Sequence, residues 1–160
     1  EAISATSRSA LAEIRRLLGG LRADGDADYE PAPGLVDLDR LVADLDAAGL
    51  AVDVRVDGAD HALPPGVDLT AYRIVQEALT NVLKHAGPAR ATVTIAIGPE
   101  TVRIEVLDDG RGVNGRVTEG GHGLVGMRER VAVYGGTLET GPRVGGGFRV
   151  VACLPYGGDG

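Results

Sequence analysis

Apolar residues recur along the chain with two different periods, and each period predicts one kind of element. Spacings of three and four residues predict helices over residues 1–22, 37–48, 68–85 and 124–134. Alternation of apolar and polar residues predicts strands over residues 50–57, 91–97, 101–107, 137–140 and 148–155. Asp68 is expected to be the N-cap of the third helix, and Gly98-Pro99 to form a hairpin turn.

The order of these elements predicts an α+β fold. Several consecutive strands are separated only by short turns, and such strands form an antiparallel or mixed sheet. We therefore expect a two-layer sandwich, in which a mixed and mainly antiparallel sheet carries the helices on one face.

Changes in composition divide the chain into four parts. Residues 1–22 carry an apolar stripe, which predicts either the end of a longer helix that pairs with another chain or an amphipathic helix packed on this domain. Residues 23–34 are acidic and contain prolines, so we expect a linker there, followed by a globular domain over 35–156 and a tail over 157–160. Because the chain begins with Glu1 and not with Met, we expect it to be a piece of a longer protein.

Length and charge narrow the class of protein. The 160 residues suffice for one domain with a proper core. The formal net charge of −7 argues against a nucleic-acid partner, because binding to a phosphate backbone needs clustered Lys and Arg. The sequence has no apolar run of membrane-spanning length and no signal peptide, so we expect a cytoplasmic location.

The stretch GGHGLVGMRERV is typical of a phosphate-binding turn. Gly121, Gly123 and Gly126 spell G-x-G-x-x-G before a helical pattern, as in the dinucleotide-binding turn of dehydrogenases. That turn has to follow a buried strand, but the residues before Gly120 are polar and interrupted by glycine. The pattern therefore does not favour a dinucleotide site, although backbone N–H groups ahead of a helix still bind phosphate.

A second group of polar residues lies on the predicted helix AYRIVQEALTNVLKHA. Glu77, Asn81 and His85 follow one another at successive helical turns, and Lys84 adds positive charge beside them. Carboxylate and amide oxygens are ligands that Mg²⁺ accepts when it also keeps waters and phosphate oxygens. The alternative interpretation of the same pattern is a solvated helix face.

A third motif, DDGRG, directly follows a predicted strand. Asp108, at the end of that strand, can accept a hydrogen bond from an adenine amino group, and the glycines after it let the backbone approach a flat ring. The alternative interpretation is a simple turn that ends the strand.

Together the three motifs resemble those of the Bergerat-type ATP-binding domain, which sensor histidine kinases share with DNA gyrase, mismatch-repair ATPases and large heat-shock chaperones. RIVQEALTNVLKHA is similar to the N box of that family, VLDDGRG to its first glycine box and GGHGLVGMRERV to its second. The resemblance covers residues 35–155. The spacing looks most like that of the nitrate-sensor and lipid-fluidity-sensor kinases.

The resemblance implies roles for individual residues. Asn81 would ligate a Mg²⁺ ion that bridges the ATP phosphates, and Glu77 would support the metal or a water near it, so these two would be the catalytic residues. Lys84 and His85 would contact the phosphates or the ribose, and Asp108 would accept the adenine amino proton. The other implied nucleotide contacts lie in the glycine-rich segments, at Gly110, Gly112, Val113, Gly121, His122, Gly123, Leu124 and Gly147.

The resemblance also implies a reaction and its partners. The γ-phosphoryl group of ATP would pass to a histidine on a two-helix dimerisation domain, and then to a response regulator with a helix-turn-helix output domain. Residues 1–22 would be the second helix of that dimerisation domain and would make the full-length kinase a homodimer. Such a kinase would be cytoplasmic or the cytoplasmic part of a membrane-bound sensor.

Several features depart from the family pattern. No phosphoacceptor motif surrounds His61, His85 or His122, so this piece is expected not to phosphorylate itself. The loop that would cover ATP is short, and Phe148 stands where the family usually has a threonine. Two other functions stay open: a Bergerat-type serine kinase of the anti-sigma class, and a nucleotide-dependent interaction module without catalysis. The heptad-like stripe near the N-terminus argues against the first of these.

Overall fold

The computed structural model describes residues 31–111 and 122–157. The predicted helix over residues 1–22, most of the predicted linker and residues 158–160 lie outside this part of the chain. A 3-10 turn at Leu35–Asp37 precedes the first described α-helix. The helices and strands are, in chain order, α1 (Leu38–Ala47), β1 (Ala51–Asp57), α2 (Pro65–His85), β2 (Arg90–Ile97), β3 (Thr101–Asp108), α3 (His122–Val133), β4 (Thr137–Pro142) and β5 (Phe148–Pro155).

The five strands form one mixed sheet in the order β1-β2-β3-β5-β4. Strands β1 and β2 are parallel and are connected through α2, as a parallel pair requires a crossover. The pairs β2 with β3, β3 with β5 and β4 with β5 are antiparallel. The predicted α+β fold with a mixed, mainly antiparallel sheet is confirmed.

One face of the sheet is apolar and packs against the helices. Alternate residues of the three central strands are buried on that face, namely Ala91, Val93, Ile95, Ile97, Val102, Ile104, Val106, Val150, Ala152 and Leu154. The long helix α2 contributes the matching apolar surface, with Ile74, Val75 and Leu79 fully buried. This packing holds α2 rigidly across the sheet, so its other side can serve as a fixed platform. None of the helices in residues 31–111 and 122–157 is long and apolar enough to cross a membrane.

The long helix begins earlier than its pattern predicted. It begins at Pro65, with Pro64 at the N-cap position, so the prediction that Asp68 caps it was wrong. Proline fits the first helical turn because the N–H that it lacks would have no partner there. The Asp68 carboxylate instead accepts a hydrogen bond of 3.0 Å from the N–H of Leu35. This bond links the 3-10 turn that precedes α1 to α2.

The opposite face of the sheet carries a charged cluster centred on Glu105. Its Oε2 accepts hydrogen bonds from Nη2 of Arg103 at 2.9 Å and from Nη2 of Arg149 at 3.1 Å. Burial by itself would raise the pKa of Glu105, but the two guanidinium groups outweigh it and hold the pKa below its usual value of 4.5. The two arginine side chains are 43 % and 41 % exposed, so solvent screens the cluster and we expect it to contribute only about 0.5 to 1 kcal/mol to stability.

Replacing Glu105 by Gln should lower the free energy of unfolding by about 0.5 to 1 kcal/mol at neutral pH. The folded-state pKa lies below the unfolded one, so the carboxylate stabilises fully above the unfolded value of 4.5 and ceases to do so as the pH falls through the folded value. Urea unfolding of both proteins at neutral pH and in acid below that range measures the difference. Asp53→Asn is a control, because this carboxylate is 69 % exposed and 3.9 Å from Arg90. A deficit in Glu105→Gln that is the same at both pH values would contradict the account.

Candidate functional site

Two close glycine contacts bring the predicted motifs to the same helix, α2. Gly123, in the first turn of α3, lies against the side chains of Glu77 and Asn81. A Cβ atom at position 123 would overlap Oε1 of Glu77 and would lie 3.4 Å from Nδ2 of Asn81. Any larger residue there would displace the Glu77 carboxylate, so this glycine keeps the polar face of α2 and the start of α3 in direct contact.

The second contact is at the C-terminal end of α2. Gly110 is buried against Ala86, the residue that follows the last turn of the helix. A Cβ atom at position 110 would lie 2.5 Å from both the Cβ and the carbonyl oxygen of Ala86. Because the Ala86 carbonyl belongs to the backbone, it could not move to make room without distorting the chain. The N–H of Arg111 also donates a hydrogen bond of 3.2 Å to the same carbonyl oxygen.

These contacts define a platform along the second half of α2. Ala86 follows Glu77 by nine residues, which corresponds to about 14 Å at the rise of an α-helix. Glu77 and Asn81 are half-buried near one end of the platform, while Lys84 and His85 are exposed in the last turn near the other. The arrangement suits an extended ligand with different chemical groups at its two ends.

Asp108 is the polar group at the Gly110 end of the platform. It is the last residue of β3 and only 4 % exposed. Its Oδ1 accepts a hydrogen bond of 2.8 Å from the N–H of Gly110, the usual way in which an aspartate closes a turn. An ionised carboxylate has about four acceptor positions, so Asp108 keeps capacity for a donor on a ligand.

The turn between β4 and β5 lies against the end of β3. Gly147 has a φ of +91°, and a Cβ atom there would overlap the carbonyl oxygen of Asp108. Nη1 of Arg143 donates a hydrogen bond of 2.7 Å to that same carbonyl oxygen. Sequence reasoning identified Gly147 but missed Arg143, because no spacing rule marks a turn residue that lies 35 positions away from its partner.

Some of the other predicted site residues lie in the first turn of α3, and the rest lie outside the described residues. His122 is exposed and Leu124 half-buried, both in the first turn of α3, where four backbone N–H groups have no partner within the helix. The predicted contacts Gly112, Val113 and Gly121 lie outside the described residues. Ala86 was not predicted, although it directly follows His85 at the end of the motif on α2.

The chemistry of the platform is therefore split between its ends. The Gly110 end offers a buried carboxylate and close backbone, which suit a flat polar ring. The Gly123 end offers an amide, a carboxylate and a helix N-terminus, which suit a hydrated cation together with an anion. Within residues 31–111 and 122–157 no group of three His, Cys, Asp or Glu side chains is arranged to hold a metal, so an ion at Asn81 would need oxygen ligands from a phosphate or water.

Comparison with known proteins identifies the family of the chain. Residues 66–158 match the family described as histidine kinase-, DNA gyrase B-, and HSP90-like ATPase. The chain is 31 % identical over 158 residues to sensor histidine kinase YxjM of Bacillus subtilis, covering 96 % of this chain and 36 % of that protein. It is 36 % identical over 127 residues to the signal transduction histidine-protein kinase/phosphatase UhpB of Salmonella typhimurium, covering 78 % of this chain and 25 % of that one. The chain thus spans well under half the length of these curated relatives.

Solved structures show the same fold. The blue-light activated histidine kinase of Erythrobacter litoralis EL346 superposes with a TM-score of 0.64 at 26 % identity, covering 78 % of this chain and 42 % of that one. The catalytic domain of histidine kinase ThkA superposes with a TM-score of 0.58 at 17 % identity, covering 78 % and 94 %. Since the family match extends over more than half of the chain, the chain belongs to the histidine kinase-, DNA gyrase B- and HSP90-like ATPase family and has the fold of a histidine kinase catalytic domain.

Proposed function

We propose that this chain is the ATP-binding catalytic domain of a sensor histidine kinase, which transfers the γ-phosphoryl group of ATP to a histidine of a dimerisation domain. The observation that carries the proposal is the contact of Gly123 with Glu77 and Asn81. It places a helix N-terminus beside an amide and a carboxylate of α2, the helix whose C-terminal end meets Gly110. The sensor histidine kinases among its relatives support the same function.

The base of ATP would bind at the Gly110 end of the platform. One oxygen of Asp108 already accepts the Gly110 N–H, and the remaining acceptor positions can take the 6-amino group of adenine. Because Gly110 has no side chain, its backbone packs directly against Ala86, and these two residues would line the wall beside the ring. A bound base without an amino group would cover the Asp108 carboxylate and give it no donor, so the site would favour a base that carries one.

The phosphates would bind at the Gly123 end. Bound Mg²⁺ would neutralise charge on the transferring phosphoryl group. The Asn81 side-chain oxygen would hold the ion, and Glu77 would hold the ion or a water on it. The unpartnered N–H groups in the first turn of α3 would donate to phosphate oxygens, and we assign His122, Gly123 and Leu124 to this contact. The exposed Lys84 and His85 would approach the phosphates or the ribose.

Positioning would contribute most of the catalysis. Phosphoryl transfer from ATP needs the donor and acceptor held in line and the developing charge stabilised, and it needs no covalent intermediate on the catalytic domain. Helix α2 is immobilised on the sheet by its buried face, so it would keep Asn81 and Asp108 at a constant separation. The acceptor histidine would come from a separate dimerisation domain.

The remaining parts of the proposal concern organisation and partners. Residues 1–22 would be the second helix of the dimerisation domain and would make the kinase a homodimer. Residues 23–34 would link it to a catalytic domain over 35–156, with 157–160 as a tail. The phosphoryl group would then pass to a response regulator with a helix-turn-helix output domain. In a serine kinase of the anti-sigma class the same site would instead phosphorylate a protein serine, so the acceptor residue distinguishes the two functions.

Replacing Asp108 by Asn should weaken ATP binding at least tenfold, because Asn keeps an acceptor for Gly110 but turns a second oxygen into a donor facing the adenine amino group. Calorimetric titration with Mg-ATP measures the change. Asp109→Asn is the matched control, since that carboxylate is exposed and accepts the N–H of Arg90 at 2.7 Å. It should leave the affinity within about twofold. If the wild-type protein bound NAD and did not bind ATP, this result would contradict the proposed function.

Replacing Asn81 by Ala should remove most of the gain in ATP affinity that Mg²⁺ provides, while binding of metal-free ATP changes little. Phosphoryl transfer to a supplied dimerisation domain should fall by about a hundredfold or more, the usual effect of losing one group that stabilises the transition state. Gln76→Ala is the matched control on α2. The Gln76 amide oxygen accepts a hydrogen bond of 2.9 Å from Nη1 of Arg73 and faces another side of the helix. Equal transfer rates for Asn81→Ala and wild type would show that Asn81 has no catalytic part.

A further inference from the structure

Arg143 holds the end of β3 from a distant part of the chain. Its guanidinium donates 2.7 Å to the carbonyl oxygen of Asp108, across 35 residues of sequence. The ladder between β3 and β5 ends one residue earlier, with Leu107 opposite Arg149. Asp108 is thus the first residue of β3 beyond this ladder, and its carbonyl oxygen accepts a hydrogen bond from the Arg143 side chain.

The turn that presents Arg143 is closed by its own backbone. The N–H of Arg143 donates to the Gly147 carbonyl at 2.9 Å, and the N–H of Gly146 donates to the Arg143 carbonyl at 3.2 Å. Gly145, Gly146 and Gly147 all have positive φ, a conformation that residues with a Cβ rarely adopt. Arg143 therefore reaches Asp108 from a tight turn with a defined backbone.

The peptide unit that Arg143 holds also orients the buried carboxylate. Asp108 has its carbonyl bound by Arg143 and its Oδ1 bound by the N–H of Gly110, two residues further on. If the peptide between Asp108 and Asp109 rotated, the turn to Gly110 and the direction of the carboxylate would both change. A charged donor on that carbonyl makes such a rotation costly, since hydrogen bonds to charged groups are stronger than neutral ones.

We infer that Arg143 is a positioning residue that determines how strongly the site selects adenine. It acts through the backbone of Asp108 and not by contact with the base. This inference rests on the proposed function, in which Asp108 accepts the adenine amino group. Loss of Arg143 should therefore weaken the binding of a nucleotide whose base carries this amino group, and should weaken much less the binding of one whose base lacks it.

Calorimetric titration of the chain with Mg-ATP and with Mg-inosine triphosphate tests this, because inosine lacks the 6-amino group. Arg143→Ala should weaken ATP binding about five- to tenfold and inosine triphosphate binding less than about twofold, as expected for one well-placed hydrogen bond. Arg143→Lys should recover part of the ATP affinity, since an ammonium group can still donate to the carbonyl. Arg149→Ala, whose guanidinium bonds Glu105 on the outer face, should change neither affinity.

A nucleotide-free measurement separates this inference from the proposed function. Amide hydrogen exchange at Gly110 should be faster in Arg143→Ala than in wild type or Arg149→Ala, because the turn closed by Asp108 loosens. Unchanged exchange at Gly110, or equal losses of affinity for both nucleotides, would overturn the positioning role. If the wild type bound no ATP while Gly110 exchange still rose in Arg143→Ala, the positioning of Asp108 would be upheld and the proposed function would fail.

Discussion

The close approach of two glycines to α2 is the constraint on which the site depends. Gly123 meets the polar side of the helix at Glu77 and Asn81, and Gly110 meets its end at Ala86. At each contact the glycine has no side chain, so the backbone of another part of the chain approaches α2 directly. As a result, residues from three separated motifs meet at one helix, and neither contact tolerates a larger residue without movement of its partner.

The hydrophobic packing of the domain makes this constraint effective. One side of α2 is buried on the apolar face of the sheet, with Ile74, Val75 and Leu79 inaccessible to solvent. The mixed topology brings the C-terminal end of α2 next to the end of β3, because the chain leaves α2 at Ala86 and enters β2, which pairs with β3. Asp108 is buried at that junction, where its carboxylate is shielded from competing water.

Much of the fold and part of the site could be predicted from the sequence. The alternation of apolar residues predicted the strands, and the polar residues before Gly120 argued against a dinucleotide site. Asp108, Gly110 and Gly123 were identified because glycines and a carboxylate at element ends form a recognisable local pattern. The start of α2 was misjudged, since Pro64-Pro65 resembles a loop although proline fits a first helical turn. Arg143 could not be found, because its contact with Asp108 depends on how two distant hairpins pack.

A crystal structure of the chain with Mg²⁺ and a non-hydrolysable ATP analogue would show whether α2 holds the base and phosphate sites at opposite ends of one platform. We expect the adenine amino group within hydrogen-bonding distance of the Asp108 carboxylate, and the metal and terminal phosphates beside Asn81 and Gly123. A nucleotide bound in the reverse direction, or on the outer face of the sheet near Glu105, would contradict this expectation.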